Sequence, residues 1–274
     1  MEPLSLRVRR SYMIGFTLLW VLLIPAVLLY ADGWRFREGF GFVRTGGIFV
    51  SVPYTEAHVS INGKLVGTSS FLNRGLYLND LAPSSYVLTV EKDGYRTWSR
   101  TLVVEPQVVS DVRALLIPDT LEIVPLSTRP ISTSTRSISK ETKAAYLSVF
   151  SAHTVASSTV PVSVSDSIGL FINQGTLSAQ WMKEEYPQSI FCGRPSFCVK
   201  EIPIERTSTV TRAVFYKGGV VYRTVEGDIY FTELDVRATP ITIKIFSGVE
   251  DDFSVIDGNL ILKQGSSLYQ VDSL

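Results

Sequence analysis

The chain has 274 residues, and its 26 Lys and Arg balance 26 Asp and Glu, so the formal net charge is zero. Hydrophobic residues make up 45% of it, a content too high for a disordered protein. A neutral chain lacks the basic surface that nucleic-acid binding needs. Two Cys and two His are too few for a zinc cage of the usual kind. We therefore expect no nucleic-acid partner, no metal and no cofactor, in a chain long enough for about two domains.

The first predicted element is the uncharged stretch Tyr12–Ala31, YMIGFTLLWVLLIPAVLLYA. As a helix it would span about 30 Å, which is the thickness of the hydrocarbon core of a bilayer. The alternative is a buried helix of a soluble core, but this stretch would be apolar on every face. We predict that residues 12–31 form a transmembrane helix in contact with the lipid bilayer, after a short basic cytoplasmic tail at 1–11.

A cleaved signal peptide is a second alternative, because Arg7, Arg9 and Arg10 supply a basic region ahead of the apolar stretch. The stretch is longer than the usual 7–15 or so apolar residues, and Leu29 lies where a cleavage site needs a small side chain. We therefore expect an uncleaved signal anchor in the cell membrane. The compact arginine cluster favours a cytoplasmic N-terminus, with the bulk of the chain outside the membrane.

After a spacer at 32–44, short alternating runs of apolar and polar residues predict β-strands. The run His58–Ile61 leads into Asn62-Gly63. Asn-Gly is the strongest short hairpin signal, because a type I′ turn needs positive φ at both central residues. About six or seven such strands without helical periodicity predict a small β-sandwich at 45–118.

Four segments of this region resemble the PEGA domain and follow one another in the order of that family. They are Gly47–Pro53, which ends in Ser-x-Pro; the hairpin Ala57–Gly67 (AHVSINGKLVG); Leu81–Pro83 before Tyr86; and Lys92–Tyr95 before Trp98. Two turns depart from the pattern, since Pro53–Ala57 lacks the glycine of the name-giving motif and Ser84 replaces a usual glycine. The resemblance implies a surface-exposed β-sandwich without known catalytic residues. With the tail and helix, the arrangement resembles single-pass membrane proteins of candidate-phylum bacteria.

Residues 119–274 are predicted to be β-rich. The segment 127–139 is rich in Ser and Thr and favours a linker or exposed loop, with an exposed polar strand as the alternative. Gly227 and Gly265, the turn residues of two later hairpins, are 38 positions apart. A repeat near 40 residues with four strands is typical of propeller blades. Three strand–turn–strand patterns lie at Leu170–Ser178, Val220–Tyr230 and Leu260–Tyr269.

The fold class that these elements predict is mainly β. An N-terminal transmembrane helix precedes a small PEGA-type β-sandwich, and a degenerate or partial β-propeller-like region follows it. No Trp-Asp or kelch signature supports the propeller. An irregular sandwich is therefore the alternative for the last region.

Cys192 and Cys198 flank a short loop between two apolar segments, Ser189–Phe191 and Val199–Ile202, which we predict to be strands. Cysteines opposed across a hairpin bring their Cα atoms within the roughly 5.5 Å that a disulfide needs. Oxidation fits an exported protein. We predict a disulfide worth about 2 kcal/mol, with two reduced cysteines as the alternative.

No motif indicates catalysis: Walker, HExxH, GxSxG, GxGxxG and EF-hand spacings are all missing from the sequence. His58 and His153 are isolated, and we expect His58 to be exposed. Glu184-Glu185 and Glu250–Asp252 are predicted to be solvated loops, with a weak calcium site as a less favoured reading of the second. Trp98 and Trp181 would stack on sugars only if exposed, and aromatic residues of β proteins are more often core.

The sequence favours a non-enzymatic, membrane-anchored cell-envelope protein that presents β modules outside the membrane for protein or glycan contacts. The alternative is a carbohydrate-active enzyme or polysaccharide-binding protein with a site in the C-terminal β region. Two carboxylates can converge there from separate loops without a fixed spacing. A sensor is disfavoured because the tail at 1–11 is too short for an effector domain.

Overall fold

The computed structural model describes residues 6–39, 41–129, 135–151, 160–237, 240–248 and 251–274. The protein is mainly β, and its first described element is an apolar helix, α1 (Leu6–Ala31), of 26 residues. The segment Arg7–Ala31 is long and apolar enough to cross a membrane, and its most apolar 18 residues have no buried side chain. A signal sequence near an N-terminus meets the same criteria of length and composition. Arg7, Arg9 and Arg10 of the predicted tail belong to this helix.

The predicted spacer at 32–44 contains a folded hairpin. Strand β1 (Trp34–Arg37) pairs antiparallel with β2 (Gly41–Arg44), and Phe36 lies opposite Phe42. Each strand has only four residues, too few for a clear alternating pattern. The helix therefore leads directly into a second ordered element.

Residues 46–113, all of them described, form the predicted β-sandwich from seven strands. One sheet has the order β6-β3-β9, with β3 and β9 parallel, and the other has the order β5-β4-β7-β8. Alternation sets the core: Ile48 and Val50 of β3 are fully buried, whereas Phe49 between them is 38% exposed. The strands are β3 (Gly46–Ser51), β4 (His58–Ile61), β5 (Lys64–Thr68), β6 (Gly75–Leu81), β7 (Ser85–Glu91), β8 (Trp98–Val103) and β9 (Val109–Arg113).

The Asn62-Gly63 turn has the predicted conformation. Both residues have positive φ, 49° and 78°, and they connect Ile61 to its partner Lys64. The side chain of Asn62 also accepts a hydrogen bond from the backbone N–H of Val87 at 2.9 Å. The turn thus holds three strands in register.

Three larger sheets follow among the described residues of the C-terminal region. Their orders are β12-β13-β14-β17, β18-β19-β20-β21 and β11-β10-β24-β23-β22. These described residues do not close into a barrel or a propeller. The strands are β10 (Ile123–Ser127), β11 (Arg136–Ser137), β12 (Ser163–Ser165), β13 (Ile168–Asn173), β14 (Thr176–Trp181), β15 (Cys192–Arg194), β16 (Phe197–Cys198), β17 (Glu201–Glu205), β18 (Val210–Tyr216), β19 (Gly219–Thr224), β20 (Asp228–Glu233), β21 (Thr242–Ser247), β22 (Asp251–Ile256), β23 (Asn259–Gln264) and β24 (Ser267–Val271).

All three predicted strand–turn–strand patterns are hairpins: β13–β14, β19–β20 and β23–β24. Their turn glycines, Gly175, Gly227 and Gly265, have positive φ of 83°, 90° and 55°. Glycine reaches these conformations without a steric penalty, which explains why it marks each turn. One of the three sheets, β18–β21, consists of consecutive strands. The first sheet skips β15 and β16, and the third takes β10 and β11 from the start of the region.

The structure adds one helix that the sequence reading missed, α2 (Lys140–Ser151). The side chain of Ser139 caps it by accepting a hydrogen bond from the backbone N–H of Thr142 at 3.0 Å. Phe150 of this helix is buried against Leu126 of β10. Parts of the predicted linker at 127–139 lie in strands: Ser127 belongs to β10 and Arg136–Ser137 to β11. Residues 130–134 lie outside the described ranges.

One extended segment is shared by both halves of the protein. Ala114 and Leu116 are buried in the core of the sandwich, whereas Leu115 and Ile117 are buried in the core beneath β18–β24. Successive side chains of an extended chain point to opposite sides, so this segment forms a common wall. Ile241 packs against both cores from the C-terminal side.

A buried polar contact also joins the two halves. Trp98 of the sandwich donates its indole N–H to Glu233 Oε1 at 2.8 Å, and Arg100 forms an ion pair with the other oxygen of the same carboxylate. The Arg100 and Glu233 side chains are only 4% and 5% exposed. Burial lowers the pKa of Arg100, and the nearby charge of Asp235 opposes that shift.

We predict that Glu233→Ala destabilises the protein by about 3–5 kcal/mol, because it leaves the Arg100 guanidinium buried without its carboxylate. The free energy of unfolding would be measured by urea titration of the full chain in detergent. As a control, Asp272→Ala removes the partner of Arg136 in a more exposed pair and should cost no more than about 1 kcal/mol. Equal losses in the two variants would contradict the prediction.

Candidate functional site

A cleft runs along the seam between the sandwich and the C-terminal sheets. It consists of two cavities, with volumes of about 570 Å³ and 260 Å³, and both are lined by Asp111 of β9 and by Ser189. The hydroxyl of Ser189 donates to Asp111 Oδ2 at 3.4 Å. This contact therefore forms a wall common to the two cavities.

The larger cavity is the more polar of the two and carries charges of both signs. Asp111 and Arg113 reach it from β9, Asp166 from the β12–β13 turn and Lys217 from the β18–β19 turn. Asp166 and Lys217 are turn residues with positive φ, 52° and 45°. Because these turns belong to neighbouring sheets, two acids and two bases converge from three different elements. Tyr216 adds an aromatic side chain to the lining.

The smaller cavity is mainly apolar. Val108 and Val109 contribute from the sandwich, and they are 40% and 44% exposed. Pro187 and Pro195 line the opposite side. Adjacent polar and apolar cavities are a common composition of binding sites, in which apolar contacts supply affinity and a few polar groups fix orientation.

A disulfide hairpin borders the apolar cavity. Cys192 of β15 lies directly opposite Cys198 of β16, and the two form a disulfide as the sequence predicts. The segment Ser189–Phe191 was expected to be a strand, and that prediction is wrong. It is a single 3-10 turn, in which the N–H of Phe191 bonds to the carbonyl of Gln188 at 2.9 Å.

Two hydrogen bonds fix the tip of this hairpin over the cavity. The Ser196 hydroxyl donates to Glu105 Oε1 of the sandwich at 2.6 Å, and the Tyr186 hydroxyl donates to the carbonyl of Pro195 at 2.8 Å. The hairpin therefore bridges the seam, so its position depends on both halves of the protein.

His58, Trp98 and Trp181 do not line the cleft. His58 is exposed, as expected, and its Nδ1 lies 3.0 Å from the Thr68 hydroxyl. His153 lies outside the described residues. Trp98 is fully buried, in agreement with the core reading. Trp181 is partly buried and donates its indole N–H to the carbonyl of Glu185 at 2.8 Å.

One acidic loop was predicted incorrectly. Glu184 and Glu185 are exposed as expected, but Asp251 and Asp252 begin strand β22, and Asp251 is only 2% exposed. Asp252 forms an ion pair of 3.1 Å with Arg212 of β18, which offsets part of the cost of burying the Asp252 carboxylate. Within the described ranges, which omit residue 250, no group of three or more His, Cys, Asp or Glu is placed to hold a metal ion.

Sequence reasoning missed all four charged residues of the polar cavity. Asp111 and Arg113 occupy alternate positions of one strand, but Asp166 and Lys217 come from turns far apart along the chain. No fixed spacing connects them. The available signal is weak: a polar residue at a hairpin turn, which is also what an ordinary solvated turn contains.

We predict that a maleimide reagent labels Cys192 and Cys198 in the folded protein only after reduction. The double variant Cys192→Ser/Cys198→Ser should lower the free energy of unfolding by about 2 kcal/mol, the amount expected for a short closed loop. Hydrogen exchange of residues 186–198 should rise more than that of the sandwich strands. Labelling of untreated, folded protein would contradict the disulfide.

Comparison with known proteins identifies the sandwich. Residues 45–116 match the PEGA domain family, a β-rich domain of extracellular type. No curated protein matches the chain. The seven strands, the Asn-Gly turn and the buried Trp98 described above all lie within the matched residues. The chain therefore contains a PEGA domain at residues 45–116.

Proposed function

We propose that this protein is a membrane-anchored, non-enzymatic cell-envelope protein that contacts proteins or glycans outside the membrane through the seam cleft. The observation that carries the proposal is the buried contact of Trp98 and Arg100 with Glu233. It joins the PEGA domain to the C-terminal sheets beside the cleft. A cleft with fixed walls binds without first being ordered, which lowers the entropic cost of binding.

The anchor of this proposal is α1, with residues 12–31 in the hydrocarbon core and the arginines at 7, 9 and 10 on the cytoplasmic side. Two features support export of the remainder. The PEGA domain is of extracellular type, and the disulfide between Cys192 and Cys198 is of a kind that persists in oxidising compartments.

We also propose that the C-terminal sheets are blades of a partial, propeller-like region. The three sheets follow one another along the chain, and strand β18 of the second packs against the first, whereas β22 of the third packs against the second. A sandwich would instead place two sheets face to face. The pairing of β10 with β24 ties the start of the region to its end.

The cleft suits an extended polymer with both polar and apolar groups. The charged side chains of its larger cavity, Asp111, Arg113, Asp166 and Lys217, sum to zero, so this cavity would select a ligand by the placement of its polar groups and not by its net charge. Arg194 and Arg237 add positive charge at the smaller cavity. The neighbouring apolar cavity would accept a side chain or the apolar face of a sugar ring. Chains with exposed backbone or hydroxyl groups, such as peptides and glycans, fit this description.

One observation favours the carbohydrate-active alternative. Asp111 and Asp166 line the same cavity of about 570 Å³, and glycosidases use a pair of carboxylates on either side of the scissile bond. Arg113 and Lys217 in that cavity would instead neutralise the two carboxylates. The binding function therefore remains our proposal, and hydrolysis of any glycan tested below would favour the enzyme.

The proposed topology predicts that a protease added to intact cells digests the C-terminal region. Trypsin should remove an epitope placed after residue 274, whereas an epitope placed before residue 1 should persist until the cells are lysed. Immunoblotting of both epitopes measures this. Protection of the C-terminal epitope in intact cells would overturn the orientation.

The cleft predicts that Asp166→Lys lowers affinity for its ligand by tenfold or more. The full chain in nanodiscs would be tested against synthetic peptides and soluble cell-wall oligosaccharides by calorimetry. Asp257→Lys is the matched control, because Asp257 is also an exposed turn residue with positive φ, 50°, but does not line the cleft. No binding by the wild type, or equal losses in both variants, would contradict the proposal.

A further inference from the structure

The hairpin β1–β2 has two chemically different faces. Residues opposite each other on paired strands share a face, so Trp34, Phe36, Phe42 and Arg44 lie on one side. Phe36 and Phe42 are 71% and 65% exposed, and their ring centroids are 5.9 Å apart in an edge-to-face contact. This aromatic face belongs to the element that follows the apolar helix along the chain.

The opposite face binds the PEGA domain. Arg35 forms an ion pair with Asp80 of β6 at 3.0 Å, and Arg37 donates to the backbone carbonyl of the same residue. Both arginines of this face therefore contact Asp80. The hairpin is fixed to the domain by its polar side, and its aromatic side is directed away from that contact.

The hairpin is also fixed to the end of the helix. Asp32 and Gly33 alone separate α1 from β1, and two extended residues span at most about 7 Å. The carbonyl of Gly33 accepts hydrogen bonds from the N–H and the hydroxyl of Thr45 at 3.0 and 3.1 Å, and Arg35 donates to the carbonyl of Tyr30 at 2.7 Å. These contacts hold the hairpin at the helix terminus.

The short connection between α1 and β1 determines what can cover the aromatic face. The headgroup layer is about 5–8 Å thick on each side of the hydrocarbon core. With α1 in a bilayer, an element held within about 7 Å of its end must lie in or against that layer. Aromatic side chains partition favourably into this region, whereas two exposed Phe rings are unfavourable in water.

We propose that Phe36 and Phe42 insert into the lipid headgroups on the extracytoplasmic side of the membrane that α1 crosses. The hairpin then holds the PEGA domain directly on the bilayer. This inference rests on the anchor of the proposed function. The partner is the lipid surface itself. The domain is then held at the membrane by its Asp80 contacts and not suspended on a flexible spacer.

Immersion depth of a nitroxide label tests the proposal in the full chain reconstituted in phosphatidylcholine–phosphatidylglycerol liposomes. Labels are attached at Phe42→Cys, at Leu22→Cys within the helix and at Val225→Cys on a C-terminal turn. The native cysteines form a disulfide and do not react without reductant. Compared with position 225, the label at 42 should collide at least threefold less with a water-soluble nickel complex and more with oxygen.

The three positions separate the failure of this inference from that of the anchor. If position 22 is shielded and position 42 behaves like position 225, the membrane contact of the hairpin is overturned and the anchor stands. If position 22 is also open to the nickel complex, the anchor fails and the inference with it. Low collision with both reagents together with spin coupling between chains would show that a second copy covers the pair, which also overturns the inference.

A second measurement leaves position 42 unlabelled. Energy transfer from a dye at Val225→Cys to acceptor lipids reports the height of the C-terminal region above the membrane. Phe36→Ser/Phe42→Ser should broaden that distribution, because the hairpin loses its lipid contact. Phe71→Ser/Leu72→Ser is the matched control, since these residues are 75% and 93% exposed but lie outside the hairpin. Identical distributions in the two variants would overturn the proposal.

Discussion

The arrangement of the protein depends on one buried carboxylate. Glu233 accepts a hydrogen bond from Trp98 and pairs with Arg100, so a single side chain of the C-terminal region satisfies two donors of the PEGA domain. Such a contact is highly directional, and an unpaired charge at this depth would be costly. The two halves can therefore dock in one relative position and not in a range of them. The apolar wall at 114–117 supplies area for docking, and Glu233 supplies its specificity.

The cleft is a consequence of this docking. A second buried pair, Arg237 with Asp235 at 2.6 Å, lies next to Glu233, and Arg237 also donates to the backbone carbonyl of Asp111 at 2.6 Å. The network thus extends from the seam to the strand that lines both cavities. Because β9 is an edge strand of its sheet, its outer residues face the C-terminal region without another strand between them. The same edge that the sandwich leaves open becomes the wall of the cleft.

Local signals in the sequence account for most of the hairpins and few of the long-range contacts. Asn62-Gly63 and Gly265 identify turns because positive φ is a property of the residue itself. Asp252 in strand β22 pairs with Arg212 of another strand, which no local pattern reveals. The sequence did not reveal helix α2 for a related reason. Its apolar face is narrow, and much of its stability comes from packing against β10, which is a contact distant along the chain. The cleft residues are the extreme case, since docking alone brings them together.

The hairpin β1–β2 and the seam cleft are connected through the PEGA domain. Asp80 holds the hairpin at the end of β6, and β6 pairs with β3, which pairs with β9. Contacts of Asp80 therefore link the hairpin to β6, and ladder hydrogen bonds run from β6 through β3 to the strand that carries Asp111. Sheets transmit position well because each strand is fixed by its neighbours. If Phe36 and Phe42 seat the hairpin in the headgroups, the same sheet sets the height and direction at which the cleft faces away from the membrane. A ligand that is itself part of the envelope would meet the cleft in one fixed orientation.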